Sequence, residues 1–174
     1  MPAGFVLGLL NPFRLTRRAF AIPSAREPAD LNHDELRVVE IPASNGIGTA
    51  RSVAKLYGCA ATGGAEIGIT RATLSSLTDA ATPPTKGLRD KVLHVDTVFS
   101  LGFFKPFPKF TFGSSDMAFG THGTGGSFGM ADPETGIGFA YVMNRLGFHM
   151  FGDPRELALR HCLFHDIPAA RPQT

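Results

Sequence analysis

Residues 116–145 read DMAFGTHGTGGSFGMADPETGIGFAYVMNR, and this stretch decides the fold. Apolar and small residues alternate up to a glycine cluster and resume beyond it. The chain then turns at Asp132-Pro133-Glu134-Thr135-Gly136 and continues extended into Asn144. Alternation of period two marks β-strands, so three short strands are expected. The second turn has a mechanism: Asp opens it, Pro presets φ, and Gly sits where the chain doubles back. The first turn is a glycine patch. Gly123, Gly125 and Gly126 are expected to leave backbone N–H groups open to a close-approaching group.

Working outward, Thr49 predicts an N-cap for a helix running to about Ala61 and closed by Gly63-Gly64. Ala50, Val53, Ala54, Tyr57, Ala60 and Ala61 share one face of it. A second short helix is expected over Thr73 to Ala81, ending before Pro83-Pro84. A strand is expected from Thr97 to Phe104. Lys105 to Gly113 reads as a loop packed by Phe107, Phe110 and Phe112. A final helix is expected from Pro154 to about Phe164, with Asp153 as N-cap and Pro154 at its first position. Residues 11–40 hold at most short helices, near Pro12 to Phe20 and Asp34 to Val38; Ile41 to Gly48 is a loop. Strands in meander order between helices indicate an α+β fold with an antiparallel sheet flanked by helices.

With 174 residues the chain can bury a substantial core as one domain. Residues 1–95 are expected to be mainly helix and loop, 96–145 to carry the strands and 153–165 the last helix. A net charge of +2 selects no particular partner. Arg14, Arg17 and Arg18 cluster without an aromatic platform and read as a solvated helix face, so no nucleic-acid partner is expected. Met1 to Leu10 are apolar but lack the charge and length of a signal peptide; the compartment is left open, with the cytoplasm weakly favoured. No apolar run is long enough to span a membrane. Two cysteines, Cys59 and Cys162, are too few for a disulfide framework.

The ordered motifs Gly125-Gly126-Ser127, Asp132-Pro133-Glu134, Phe139 to Asn144, Ile41 to Gly58 and Asp153-Pro154-Arg155 resemble the C-terminal portion of serine β-lactamase-like hydrolases. That family includes β-lactamases, penicillin-binding proteins and carboxylesterases of the same fold. The resemblance spans most of residues 10–164. It implies a partial β-lactamase/transpeptidase-like fold, acyl-enzyme hydrolysis of a small-molecule ester or amide, and no cofactor. It also implies that the family's nucleophile, the Ser of an earlier Ser-x-x-Lys motif, lies outside these residues. The chain is thus expected to be a truncated portion, inactive alone, or else a non-catalytic relative acting as a binding module. An open sheet edge would then invite self-association.

The site residues implied by the resemblance are Thr121, His122, Gly123 and Thr124, the third-motif strand. Thr121 stands at the family's basic or His position, His122 at its Ser/Thr position and Gly123 at its Gly. The His is one step late, and alternation along a strand turns it to the opposite face. The Thr124 N–H would be half of an oxyanion hole, the other half coming from the nucleophile's own N–H. A phosphate-loop reading of the glycines is weak, because a strand follows them.

Ser52-Val53-Ala54-Lys55 is a literal Ser-x-x-Lys, and a Ser one turn from a Lys can lose its proton to the amine. Both residues are expected on the polar face of their helix, whereas a catalytic lysine needs burial, so the match reads as a decoy. His161 and His165, with Cys162 between them, supply at most two ligands on one face, and no metal site is expected. Asp132 and Glu134 are explained by their turn. Asn144 is expected to end its strand.

Overall fold

The computed structural model describes residues 1–21, 30, 32–42, 44 and 46–167. They fall into two compact units. One comprises residues 1–48 and 89–95, the other residues 49–88 and 96–174. Ala43 and Asn45 of the expected 41–48 loop, and most of the connection between residues 20 and 34, lie outside the described residues.

In the first unit, α1 (Ala3–Leu10) precedes α2 (Leu15–Ala19), and α3 spans Asp34–Arg37. The apolar start of the chain is therefore a helix that patterning did not show. Its Gly8 lies against Thr16, which is fully buried. The Thr16 hydroxyl donates to the Val92 carbonyl at 2.9 Å and lies 3.1 Å from His94 Nε2. Asp90 Oδ1 accepts from the Val92 and Leu93 amides at 2.7 and 2.8 Å, tying off the short turn they form.

In the second unit, α4 (Ala50–Ala61) starts and ends where its caps put it. Thr49 Oγ1 accepts from the Ser52 amide at 3.2 Å, and Ser52 Oγ accepts from the Thr49 amide at 3.0 Å, a reciprocal capping box. At the other end Gly63 and Gly64 take positive φ, and the Gly64 amide reaches back to the Cys59 carbonyl. A 3₁₀ turn, Ala65–Ile67, follows. Helix α5 is Arg71–Thr78, not Thr73 to Ala81: Thr70 captures the Thr73 amide, so the cap lies upstream of the expected start.

The sheet has five antiparallel strands in chain order: β1 (Phe99–Ser100), β2 (Phe103–Phe104), β3 (Phe119–His122), β4 (Phe128–Asp132) and β5 (Ile137–Tyr141). The single strand expected over Thr97 to Phe104 is instead a tight hairpin. Gly102, at φ +90°, reverses the chain between Ser100 and Phe103. The last strand stops at Tyr141, so Asn144 lies exposed beyond it and does not end it. The β4–β5 turn forms as expected. Asp132 is fully buried and accepts from the Glu134 amide. It also accepts from the amide and hydroxyl of Ser114, at 2.8 and 3.1 Å, pinning the loop before β3.

Pairing of Thr121 with Gly129 and of Ala131 with Gly138 fixes two faces. Phe119, Thr121, Gly129, Ala131, Gly138 and Ala140 face α4. Phe119, Ala131, Ala60, Ala61 and Leu77 form the core there. His122, Phe128, Met130 and Asp132 face the other way. Helix α6 (Pro154–Asp166) packs on that second face. Its Arg160 stacks on the Phe110 and Phe128 rings, donates to the Thr111 carbonyl at 2.6 Å and pairs with buried Glu156. Phe107, Phe110 and Phe112 are buried core residues of this layer.

Helix α4 crosses β5 with backbone nearly on backbone. A Cβ at Gly138 would overlap the Gly58 amide and the Ala54 carbonyl. A Cβ at Gly58 would meet Gly138 only at 3.8 Å, an ordinary contact. The two glycines therefore answer oppositely to alanine. Gly138→Ala should cost about 1–3 kcal/mol by overpacking. Gly58→Ala should stabilise by up to about 1 kcal/mol, since glycine is the poorer helix former. Urea midpoints at constant m-value check both signs.

Candidate functional site

The glycine turn between β3 and β4 runs from Gly123 to Ser127, and it closes on the amides of Gly123 and Gly126. Gly123 N–H donates to the Ser127 carbonyl at 2.8 Å, and Gly126 N–H to the Gly123 carbonyl at 3.3 Å. The expectation that Gly123 and Gly126 leave their amides open is therefore corrected: the turn spends them on its own closure. The N–H groups of Thr124, Gly125 and Ser127 donate to no group among the described residues; of the three, only Thr124 is exposed, Gly125 being buried and Ser127 half-buried. Gly125 and Gly126 take φ of +85° and +108°, which only glycine adopts at low cost.

Behind the turn the structure places a cluster that sequence patterning credited only with helix capping. Asp153 does cap α6, accepting from the Arg155 amide at 3.0 Å. It also receives the Arg155 side chain on both carboxylate oxygens, at 2.9 and 2.7 Å. The guanidinium beside it, together with the Arg155 amide, holds the buried Asp153 carboxyl down at about 2. The signal was present: an Arg two residues after an N-cap Asp can close a fork on it.

Thr121 and His122 are neighbours in sequence but are separated by the sheet. Thr121 is on the α4 face beside Tyr57, whose hydroxyl burial pushes up against the opposing effect of the Thr121 side chain. His122 is on the α6 face, its ring 4.5 Å from Phe104 and 4.3 Å from Phe151, with Phe110 edge-on at 6.1 Å. Its Nε2 is buried without a hydrogen-bond partner among the described residues, and burial lowers the imidazole to about 4. A narrow cleft beside it is lined by Phe110, Ser127, Phe128, Phe151, Asp153 and Glu156 among others.

Ser52 and Lys55 are both exposed on α4. The Ser52 hydroxyl donates to the Thr49 carbonyl at 2.9 Å, completing the cap. His161 and His165, both exposed, stack at 4.2 Å on α6, and among the described residues no group of three or more His, Cys, Asp or Glu is disposed to hold a metal. Lys105 is the basic side chain that loop patterning passed over. It is buried, donates to the Thr78 carbonyl at the end of α5 at 2.6 Å, and is lowered to about 8 by burial, against the pull of Asp116 and Asp79. Its position serves the helix end.

His122 makes a pH prediction. Its folded value of about 4 lies below the unfolded 6.5, so the native state binds its proton less well than the unfolded chain. The stability it leaves intact above pH 6.5 is lost as pH falls toward 4, on the order of 3 kcal/mol in all. His122→Phe fits an aromatic surround and removes the titration. It should flatten the stability profile between pH 7 and 4 and raise the melting temperature at pH 5 more than at pH 7.5.

The sequence pattern of the Beta-lactamase family matches residues 10–161. The chain is 41% identical over 107 residues to the Esterase/beta-lactamase LipL of Mycobacterium tuberculosis (strain ATCC 25618 / H37Rv), an alignment covering 62% of this chain and 24% of that protein. Among solved structures, a penicillin-binding protein homolog from Caulobacter crescentus superposes at a TM-score of 0.67 with 38% identity. That match covers 83% of this chain and 38% of the other. A family VIII carboxylesterase superposes at 0.58 with 33% identity, covering 71% of this chain and 31% of the other. The chain thus spans about a quarter to two-fifths of the length of these relatives. No helix among the described residues is long and apolar enough to cross a membrane. The five-stranded antiparallel sheet, the helices on its two faces and these matches agree, and the chain belongs to the β-lactamase family of hydrolases.

Proposed function

We propose that these residues supply the sheet side of a serine hydrolase centre that cleaves esters or amides through an acyl-enzyme. Thr121 to Thr124 act as its third-motif strand. The observation that carries the reading is the Thr124 N–H: among the described residues, the turn's unengaged amide that is exposed, at its tip, while the Gly123 and Gly126 amides close the turn. When a nucleophile attacks an acyl carbon, negative charge gathers on the carbonyl oxygen. A fixed backbone N–H stabilises that charge without reorganising.

In this reading the strand contributes backbone rather than side-chain electrostatics. His122 is neutral above about pH 4 and faces the aromatic layer, so it does not supply the family's basic group. Thr121 occupies that position with an uncharged hydroxyl. Ser52 is given no catalytic role, because its hydroxyl is committed to the α4 cap. The nucleophile is assigned to none of these 174 residues. LipL is named for both esterase and beta-lactamase and the second solved structure for a carboxylesterase, which supports an ester or amide as substrate.

Two measurements test the proposal. The purified chain should not hydrolyse p-nitrophenyl butyrate or a chromogenic cephalosporin, and a fluorophosphonate should leave Ser52 unlabelled; stoichiometric labelling would make Ser52 the nucleophile. In LipL with its matched segment replaced by this chain's, ester turnover should survive. There Thr124→Pro, which deletes the N–H, should lower kcat by about two decades, roughly 3 kcal/mol, with a smaller change in KM. Thr124→Ala should be mild. Turnover untouched by Thr124→Pro would remove the oxyanion assignment.

A further inference from the structure

Arg155 holds the glycine turn from behind. One terminal nitrogen bonds Asp153 Oδ2 at 2.7 Å and the Gly125 carbonyl at 3.3 Å, and the other bonds the Arg145 carbonyl at 2.8 Å. The Gly147 amide donates to the same Gly125 carbonyl at 2.7 Å. The fit leaves no slack. A Cβ at Gly126 would overlap the Asp153 carboxylate, and one at Gly147 would sit 2.6 Å from Asp153 Oδ2 and 2.8 Å from the Arg155 guanidinium.

Two rigid peptide planes carry this grip to the tip of the turn. The Gly125 carbonyl and the Gly126 N–H belong to one plane. That N–H donates to the Gly123 carbonyl, which shares its own plane with the Thr124 N–H. Fixing the first plane therefore fixes the second through one hydrogen bond. The same series polarises the donor: a cation on the Gly125 carbonyl strengthens the Gly126 N–H as a donor, and that bond in turn strengthens the Thr124 N–H. We propose that Arg155, oriented by Asp153, is the positioning residue of the glycine turn, setting the direction and donor strength of the Thr124 N–H. The catalytic meaning of this role rests on reading Thr124 as the oxyanion donor; the mechanical coupling stands on the geometry alone.

Amide NMR on the ¹⁵N-labelled 174-residue chain reads the coupling without turnover. Arg155→Gln should shift the Thr124, Gly126 and Gly147 amide resonances. It should speed Gly147 hydrogen exchange roughly tenfold, the size of one net hydrogen bond, and leave Met130 and Phe139 in the β4–β5 ladder protected. Arg155→Lys keeps the charge but cannot reach Asp153, Arg145 and Gly125 together, so it should give nearly the same changes. Should Arg155→Gln fail to fold, Asp153→Asn keeps a capping side chain while loosening the guanidinium, and should shift the same three amides. The proposal is overturned if Thr124 and Gly147 do not move in these variants. It is also overturned if they move only in step with Met130 and Phe139, or if lysine restores them fully. Because the readout is an amide and not a rate, its failure removes the role of Arg155 and leaves the Thr124 reading to the chimera.

Discussion

The close approach of α4 to β5 sets the geometry of the larger unit. Gly138 leaves no side chain between the strand and the helix, and Gly129 leaves room for the Tyr57 ring on the neighbouring strand. Once the helix is seated there, strand register has no freedom, because a slip of one residue would carry every side chain to the wrong face. That choice puts Thr121 beside Tyr57 and sends His122 into the layer beneath α6. The chemical character of β3 is thus decided by two glycines on strands it does not include.

The two faces are stabilised differently. The α4 face is small-residue packing: Ala60, Ala61 and Ala131 against Phe119 and Leu77. The α6 face is aromatic, and it contains charge. A buried ion pair such as Arg160–Glu156 adds little to stability by itself, since desolvation offsets most of the attraction. Here the guanidinium is also stacked on Phe110 and Phe128 and bonded to the Thr111 carbonyl. The pair then fixes where α6 sits on the aromatic loop, which hydrophobic contact alone would leave free to slide.

What could be read from the sequence was local. The α4 caps, the Asp132 turn, the three strands of residues 116–145 and the Asp153 cap are decided within a few residues of themselves, and each forms where its chemistry puts it. The misplacements have the same source. Thr70 caps α5 upstream of the expected start at Thr73. Gly102 turned the strand expected over Thr97 to Phe104 into a hairpin. The α1 helix carries too little polar contrast for a period to show. The candidate site was less legible, because the groups that hold its turn through the Gly125 carbonyl, Gly147 and Arg155, lie beyond β5 and on α6. Nothing in Gly123-Thr124-Gly125-Gly126 says which amides the turn consumes.

A glycine turn by itself is a poor donor site. Glycine lowers the barrier to positive φ but also enlarges the set of conformations the chain must give up, at about 1–2 kcal/mol for each residue fixed. A transition state is stabilised only by a donor already in place, so an unsupported Gly-rich tip would lose by reorganisation what its N–H could supply. The loop after β5 and the start of α6 meet that cost beforehand. Asp153 is itself a carboxylate buried against the turn, tolerable only because Arg155 neutralises it. Arg155 is ordered only because Asp153, Gly125 and Arg145 fill its donors. Asp153 would be costly to bury alone; paired with the more exposed Arg155, it turns three glycines from a source of disorder into a fixed backbone dipole.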